Sequence, residues 1–164
     1  MKRKYWVLLI ISLTILFLDL WTKHLVLLKL PLHHSVEVIP GFFNLTHVRN
    51  TGGAFGVFGG RGAIGSALFV GISVIAVGAI VFFFIKLKEE EKILILSFSL
   101  VLSGALGNLI DRLHYGEVVD FLDFYISSFH WPAFNIADSA ICIGIGLMAL
   151  ELLTRDLRKS KSRG

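Results

Sequence analysis

Residues 63–85 read AIGSALFVGISVIAVGAIVFFFI, without a single charged side chain. A transmembrane helix needs about 20 predominantly apolar residues, so this stretch predicts a helix that crosses a membrane. Outward from it, residues 5–28, 93–113 and 134–153 are apolar enough for three more spans. The chain of 164 residues is 55% hydrophobic and 17% charged, which is too apolar for a soluble domain. We therefore predict an all-α polytopic membrane protein with four transmembrane helices in one domain, residues 1–164.

The basic residues predict the orientation of these helices. Eleven of the sixteen Lys and Arg residues lie in three segments, 2–4, 86–92 and 155–163. Because Lys and Arg are enriched in cytoplasmic loops, both termini are expected in the cytoplasm. The net charge of +4 then reflects topology and attraction to anionic lipid rather than nucleic-acid binding. No small-residue cleavage site follows the first apolar run, so we expect a retained helix there rather than a secretory signal. The basic tail, 155–164, is expected to be disordered.

Two loops lie on the opposite, outer side in this topology. Within the longer one, 29–62, residues 36–39 and 42–48 are rich in β-forming side chains and predict a small β-rich region at the membrane surface. The glycines of residues 50–60 make that stretch a candidate lid. The second loop, 114–133, carries three acidic residues among apolar ones, which favours a site at the outer headgroups.

Two of the predicted helices carry the same polar pattern. Asn108 precedes Asp111 by three residues, and Asn135 precedes Asp138 by three, so each Asn and Asp share a helix face. Carboxylates in membrane segments are costly and therefore indicate a functional site. On spacing alone, Asp111 and Asp138 would be the natural pair.

The first helix carries its own charged pair. Asp19 precedes Lys23 by four residues, the favourable order for an ion pair on one helix face. Intramembrane charges usually pair with one another, so one interpretation is that these two residues have a structural role and hold helices together. The alternative is that they support a nearby active site.

Several hydrolytic arrangements are absent from the sequence. It has no His-Glu-x-x-His motif for zinc and no Gly-x-Ser-x-Gly elbow, and its glycine-rich stretch lacks the Lys-Ser/Thr ending of a phosphate loop. Carboxylates remain. Two aspartates that share one proton can activate water and protonate a leaving amine, because like charges held together separate their titrations. Such chemistry needs no metal and no cofactor, and we expect none.

Five segments, in order along the chain, resemble the lipoprotein signal peptidases, the bacterial signal peptidase II enzymes. One departure is Gly53, where the family usually has Ala. The resemblance implies four transmembrane helices and an aspartic membrane endopeptidase. The five segments are Asp19-Leu20-Trp21-Thr22-Lys23, Asn50-Thr51-Gly52-Gly53-Ala54-Phe55, Gly107-Asn108-Leu109-Ile110-Asp111-Arg112, Val118-Val119-Asp120-Phe121 and Phe134-Asn135-Ile136-Ala137-Asp138-Ser139.

The resemblance places the catalytic dyad on Asp120 and Asp138 rather than on Asp111 and Asp138. The charges and apolar residues next to Asp111 and Asp120 in the sequence also favour Asp120 as the partner of Asp138. Asp111 is followed by Arg112, and a neighbouring cation favours a permanently ionised carboxylate. Asp120 is flanked by apolar residues, so desolvation is expected to raise its pKa.

The other polar residues of the matching segments are expected to support this dyad. Asn50, Asn108 and Asn135 would hydrogen-bond the dyad, the substrate backbone or loop carbonyls, and the choice between a structural role and a substrate contact stays open. Arg112 is expected both to grip a substrate carbonyl or lipid phosphate through its planar fork and to hold Asp111.

The resemblance also implies a substrate and a location. The substrate is a prolipoprotein with a lipobox, already diacylglyceryl-modified, cut immediately before the lipidated cysteine. Membrane phospholipid is the other expected partner, and a monomer is expected. The location is the bacterial cytoplasmic (inner) membrane, with the active site near the outer face.

Three alternative functions are open. A small transporter or channel usually shows repeats and polar sites at the midplane of the membrane. The others are a non-catalytic scaffold and a Gly-x-Gly-Asp intramembrane peptidase, whose motif is absent from the sequence.

Overall fold

The apolar stretches form four helices in the computed structural model, which describes residues 2–52 and 62–161, with backbone alone at 62–64 and 159–161. By length and composition, each of these helices can cross a membrane, and a small sheet accompanies them. The predicted fold class is confirmed. In chain order the elements are α1 (Arg3–Lys29), β1 (Ser35–Ile39), β2 (Phe43–Asn50), α2 (Gly62–Lys86), α3 (Lys92–Tyr115), β3 (Val118–Ile126), β4 (Phe129–His130) and α4 (Ile136–Lys161).

The last helix is longer than predicted. The tail expected to be disordered from residue 155 is helical as far as Lys161, so that prediction is wrong over this range. The side chain of Arg155 explains the continuation. It lies 2.8 Å from Glu151 one turn earlier and 2.7 Å from Glu91 in the turn before α3. The pair with Glu151 lies within α4, and the pair with Glu91 ties the extra turns of α4 to the turn before α3.

Helix α3 is the centre of the bundle. It packs against α1, α2 and α4, and 56% of its most apolar window is buried, compared with 6% to 17% for the other three helices. Glycines permit the close contacts. A Cβ on Gly107 would lie 2.6 Å from an Asp19 oxygen, and one on Gly104 would collide with the Ala137 carbonyl. Helices α1 and α4 therefore approach α3 closely at the level where the polar residues lie.

The strands form one antiparallel sheet in the order β1-β2-β3-β4. Its first hairpin turns at Gly41, whose φ of 75° is in the left-handed region that glycine adopts readily. Strands β1 and β2 were predicted, whereas β3 and β4 were not. The pairing of β2 with β3 sets Val48 opposite Asp120 and Asn50 opposite Val118, which brings two distant predicted site residues to neighbouring positions.

A tight connection carries the chain from α3 into β3. Helix α3 ends at a left-handed Gly116 (φ 77°), whose N–H donates to the Arg112 carbonyl at 3.0 Å. Two residues later β3 begins, and its Val119 and Phe121 pack with Val26 of α1 in a buried cluster. The sheet is thereby fixed against one end of the bundle, which we call the site end; α1 begins and α4 ends at the opposite end.

Candidate active site

Asp120 lies on β3 between two buried apolar residues and is itself 2% exposed. Its Oδ1 accepts a hydrogen bond from Asn135 Nδ2 at 2.8 Å, and its Oδ2 accepts one from Asn50 Nδ2 at 3.1 Å. Burial, and next the negative charge of Asp138, raise the pKa of Asp120 to about 7, against the opposing effect of the two amide donors. The carboxyl is thus poised to gain or lose a proton near neutral pH.

Asp138 lies in the first turn of α4, and the helix start holds it in place. The Asp138 N–H donates to Asn135 Oδ1 at 2.9 Å, while the Asn135 N–H donates to Asp138 Oδ2 at 3.3 Å. This reciprocal arrangement is a capping box, which satisfies N–H groups that a helix start leaves free. The other oxygen, Asp138 Oδ1, accepts from Asn108 Nδ2 at 2.7 Å. Both carboxylate oxygens of Asp138 are therefore oriented by asparagines.

Asn135 connects the two aspartates. Its side chain is completely buried and donates to the Asp120 carboxyl, while its backbone N–H donates to the Asp138 carboxyl, so one residue holds both groups. Its position is set by backbone pairing just before it: Leu122 N–H donates to the Phe134 carbonyl at 2.8 Å, and Phe134 N–H donates to the Leu122 carbonyl at 3.1 Å. The start of α4 is thus joined to β3 beside Asp120.

A buried ammonium group lies behind this pair. Lys23 is 2% exposed, and its Nζ is 2.7 Å from Asp19 Oδ2, 2.9 Å from Asp111 Oδ2 and 3.1 Å from Asn108 Oδ1. The predicted Asp19–Lys23 ion pair is confirmed. The three protons of the ammonium match three acceptors, and one of them, Asn108, also bonds Asp138. A chain of contacts therefore runs from α1 to the site.

The two carboxylates of this group also hold backbone. Asp111 Oδ2 accepts the Val119 N–H at 3.1 Å, and Asp19 Oδ1 accepts the Ala137 N–H at 2.9 Å. Val119 immediately precedes Asp120, and Ala137 immediately precedes Asp138. Each carboxylate therefore anchors the backbone beside one of the two predicted dyad residues. Nothing in the sequence spacing indicates these two long-range contacts.

The expectation that Arg112 holds Asp111 is wrong. Asp111 bonds Lys23 instead, and the Arg112 guanidinium donates to the carbonyls of Gly52 at 3.3 Å and Asn108 at 3.4 Å. The physical reason is helical geometry, since adjacent residues on a helix do not face each other. Spacing had favoured a pairing of Asp111 with Asp138, but Asp111 Oδ2 bonds the Lys23 ammonium and the Val119 N–H instead.

Asn50 and Gly52 begin the stretch predicted as a lid. Asn50 Oδ1 accepts the Gly52 N–H at 2.9 Å while its amide donates to Asp120. With Arg112 bonded to the Gly52 carbonyl, this start of the loop is tied to the site on two sides. The remainder of the predicted lid, from residue 53 to residue 60, lies outside the described residues.

The site can be compared with known proteins. The family model described as Signal peptidase (SPase) II matches residues 11–154, a range that includes every residue of the site. The chain belongs to this family. It is 44% identical over 161 residues to the lipoprotein signal peptidase of Syntrophus aciditrophicus, covering 98% of this chain and 100% of that protein. It is 51% identical over 151 residues to that of Maridesulfovibrio salexigens, covering 91% and 96%.

Solved structures agree with the fold. A bacterial membrane enzyme determined by the in meso method superposes with a TM-score of 0.85 at 38% identity, covering 93% of this chain and 90% of the other. A second bacterial membrane enzyme superposes with a TM-score of 0.78 at 39% identity, covering 89% and 92%. Family membership makes the chain a multi-pass bacterial membrane protein and a protease. The site described above is the place in it where buried carboxyl groups are held together.

Proposed function

We propose that this chain is an aspartic endopeptidase that removes the signal peptide from diacylglyceryl-modified prolipoproteins, with Asp120 and Asp138 as its catalytic dyad. The observation that carries the proposal is the shared clamp on these two carboxyls. Asn135 bonds both of them, Asp120 through its side-chain amide and Asp138 through its backbone N–H, and Asn50 and Asn108 each donate to one. An aspartic peptidase needs two such carboxyls in one site.

The electrostatics of the pair support a shared proton. Burial and the charge of Asp138 raise the pKa of Asp120 to about 7, so Asp120 carries a proton in a large share of molecules at neutral pH. In the proposed mechanism the ionised partner takes a proton from water, whose oxygen attacks the scissile carbonyl carbon, while the protonated partner donates to the carbonyl oxygen. The resulting diol collapses as one carboxyl protonates the leaving nitrogen and the other accepts a hydroxyl proton. The dyad ends with one proton, as it began.

The substrate proposal rests on the names of the relatives, which are lipoprotein signal peptidases, and on the position of the site. The dyad lies where the sheet meets one end of the helices. Exposed apolar side chains surround that end, among them Trp21, Leu113 and Phe129, and such residues suit the region between lipid tails and headgroups. A substrate with acyl chains in the bilayer would present its lipidated cysteine at this depth. In this proposal the bond that is cut is the one immediately before that cysteine.

The supporting residues receive distinct roles in this proposal. Asn50, Asn108 and Asn135 orient the dyad, while Asp111, Asp19 and Lys23 hold the backbone beside it. Arg112 keeps the start of the loop at Gly52 against the site. The protein is proposed to work as a monomer in the bacterial cytoplasmic membrane, with both termini in the cytoplasm and the dyad near the outer face. The lysine- and arginine-rich segments agree with this orientation.

The test compares Asp120→Asn and Asp138→Asn with Asp156→Asn, an exposed position on α4. Each purified protein is given a diacylglyceryl-modified prolipoprotein in detergent micelles, and cleavage is followed by gel mobility and by mass of the released signal peptide. Loss of general acid–base catalysis is worth about 10²–10⁴ in rate, so both site variants are expected to lose at least that factor. They should still bind substrate, because an amide replaces a carboxyl of the same shape. Normal cleavage by the Asp138→Asn protein would disprove the dyad.

A second measurement tests the substrate. The same proteins are given the prolipoprotein without its diacylglyceryl group. We expect the wild-type protein to cut the modified form much faster, because the acyl chains place the bond at the site. Equal rates on both forms would refute the lipid requirement while leaving the dyad assignment intact.

A further inference from the structure

A pocket lies at the end of the bundle opposite the site, between the beginnings of α1 and α3. Its volume is about 230 Å³. Four charged residues line it, Arg3, Lys4, Glu89 and Lys92, together with apolar residues of both helices. The apolar residues are about one helical turn further along each helix than the charged ones. The pocket thus combines a charged region at the helix ends with an apolar region at the depth of the lipid tails.

The four charges are not equally available. Lys4 is 4% exposed, and its ammonium donates to the carbonyls of Ile85 and Leu87, both at 2.7 Å. These are carbonyls at and just after the end of α2, which a helix end leaves without intrahelical partners. Lys4 therefore serves to hold α2 against α1, and its donors are used.

Arg3 and Lys92 are in a different situation. Both side chains are exposed, and neither forms a hydrogen bond or ion pair with any residue in the described part of the chain. They begin α1 and α3 respectively, so they flank the pocket from its two helices. The first turn of each helix also carries a partial positive charge. This part of the pocket matches an anion.

Glu89, in contrast, lacks a hydrogen-bond donor for one of its carboxylate oxygens within the residues that the structure describes. Its Oε2 accepts the backbone N–H of Lys4 at 3.3 Å, whereas its Oε1 is buried and has no hydrogen-bond partner among the described residues. A buried carboxylate oxygen without a donor is costly. This part of the pocket therefore lacks a hydrogen-bond donor, and a cationic N–H group would supply it.

We propose that the pocket binds a phosphatidylethanolamine, a phospholipid whose headgroup carries both a phosphate and a primary ammonium. The phosphate lies between Arg3 and Lys92, and the acyl chains leave along the apolar side chains of α1 and α3. The Glu89 carboxylate turns its Oε1 toward the pocket and accepts a hydrogen bond from the ammonium. A purely anionic lipid would satisfy the two cations but bring no cationic donor to Glu89. A choline lipid has the same charges but no N–H to donate. The site is independent of the proposed peptidase activity.

The test measures lipid binding to the full-length purified protein by native mass spectrometry, after lipid removal and titration with lipids of identical acyl chains. A hydrogen bond to a charged group is worth enough to predict at least about tenfold tighter binding of the ethanolamine lipid than of the choline lipid. Glu89→Gln keeps an acceptor for the Lys4 N–H but removes the charge, so this preference should disappear. This comparison of two lipids on the wild-type protein does not depend on any variant folding.

The phosphate assignment is tested by the Arg3→Gln/Lys92→Gln protein, with Arg158→Gln as the matched control. Arg158 is exposed at the same end of the bundle, on α4. Each removed cation is expected to weaken binding of the ethanolamine lipid about fivefold, while the control binds as the wild type does. Wild-type binding by the double variant would overturn the proposal. So would equal affinity for ethanolamine and choline lipids, or a dimer of the protein that excludes lipid from the pocket.

Discussion

Replacing Lys23 by Met is the sharpest test of how the site is held together. The substitution keeps most of the apolar stem and removes only the ammonium. That group lies 2.7 Å from Asp19 and 2.9 Å from Asp111, and the three residues are between 0% and 2% exposed. Without it, two buried carboxylates lose their cation. The expected result is a large loss of stability.

The magnitude follows from these distances. At an effective dielectric constant of about 20, each contact is worth roughly 6 kcal/mol of Coulomb attraction, much of which offsets the cost of burying the charges. Removing one member of a buried ion pair costs about 3–5 kcal/mol, because the remaining charge has no partner. Lys23 serves two carboxylates, so we expect the upper part of that range. For a chain of this size the unfolding temperature falls by roughly 2–4 °C per kcal/mol, so a loss of about 4–5 kcal/mol lowers it by about 8–20 °C.

The assay is thermal unfolding in a fixed detergent, followed by circular dichroism, with Lys29→Met as the control. Lys29 is in the last turn of the same helix and is exposed, so the same substitution there should leave the transition within about 0.5 kcal/mol of the wild type. Neutralising both carboxylates should rescue the protein. The Asp19→Asn/Lys23→Met/Asp111→Asn variant is expected to recover more than half of the lost stability.

An unfolding temperature for Lys23→Met equal to that of Lys29→Met would refute the reasoning, since it would mean that the buried carboxylates do not depend on the ammonium. A loss of stability that the triple variant fails to recover would also refute the reasoning. In that case the packing of the lysine stem, rather than unpaired charge, would account for the effect.

Three further predictions concern the pair of carboxyls and the helix contacts around it. Because the pKa of Asp120 is raised to about 7, the native state keeps a proton that the unfolded chain releases near pH 4. The free energy of unfolding should therefore fall by up to about 4 kcal/mol as the pH rises from about 4 to 7. The Asp120→Asn protein should lack this decline. Gly104→Ala should cost about 1–3 kcal/mol because its Cβ meets the Ala137 carbonyl, whereas Gly78→Ala, with nothing near its Cβ, should be neutral or stabilising in the same thermal scan. Asn135→Ser keeps a good helix cap but removes the amide donors. Its free energy of unfolding should lie within about 3 kcal/mol of the wild-type value, while its cleavage rate should fall roughly 10²-fold. A wild-type cleavage rate would limit the role of this residue to capping the helix.

The helices were predictable from the sequence because their signal is local. Apolar runs of about 20 residues mark spans wherever they occur, since lipid leaves few other solutions for the backbone. The Asp19–Lys23 pair was predictable for a similar reason, because four residues make one turn of helix. The same spacing gave no sign that Asp111, 88 positions beyond Lys23, shares its ammonium, since that contact depends on how α1 packs against α3.

Strand β3 escaped prediction for a physical reason. A half-buried strand alternates apolar and polar residues, but the first four residues of β3 are all buried, so no period of two appears. Asp120 therefore looked like a loop acid between apolar neighbours. Its assignment to the dyad came from the resemblance of Val118-Val119-Asp120-Phe121 to a family motif, whereas spacing had favoured Asp111. Helical spacing identified the region of the site but not the pair.

The chemistry of the supporting groups explains why the site uses amides around its carboxyls. An ammonium only donates, so Lys23 forces Asn108 to turn its oxygen toward α1 and its Nδ2 toward Asp138. Asn135 is fixed likewise, because its oxygen accepts the Asp138 N–H and its Nδ2 then faces Asp120. Neither amide titrates near neutral pH, so the carboxyls alone determine how many protons the pair holds. Amide donors favour ionised carboxylates, and burial at Asp120 opposes them. In the proposed mechanism this opposition keeps a proton on Asp120 in a large share of molecules near neutral pH, so the pair can supply both an acid and a base.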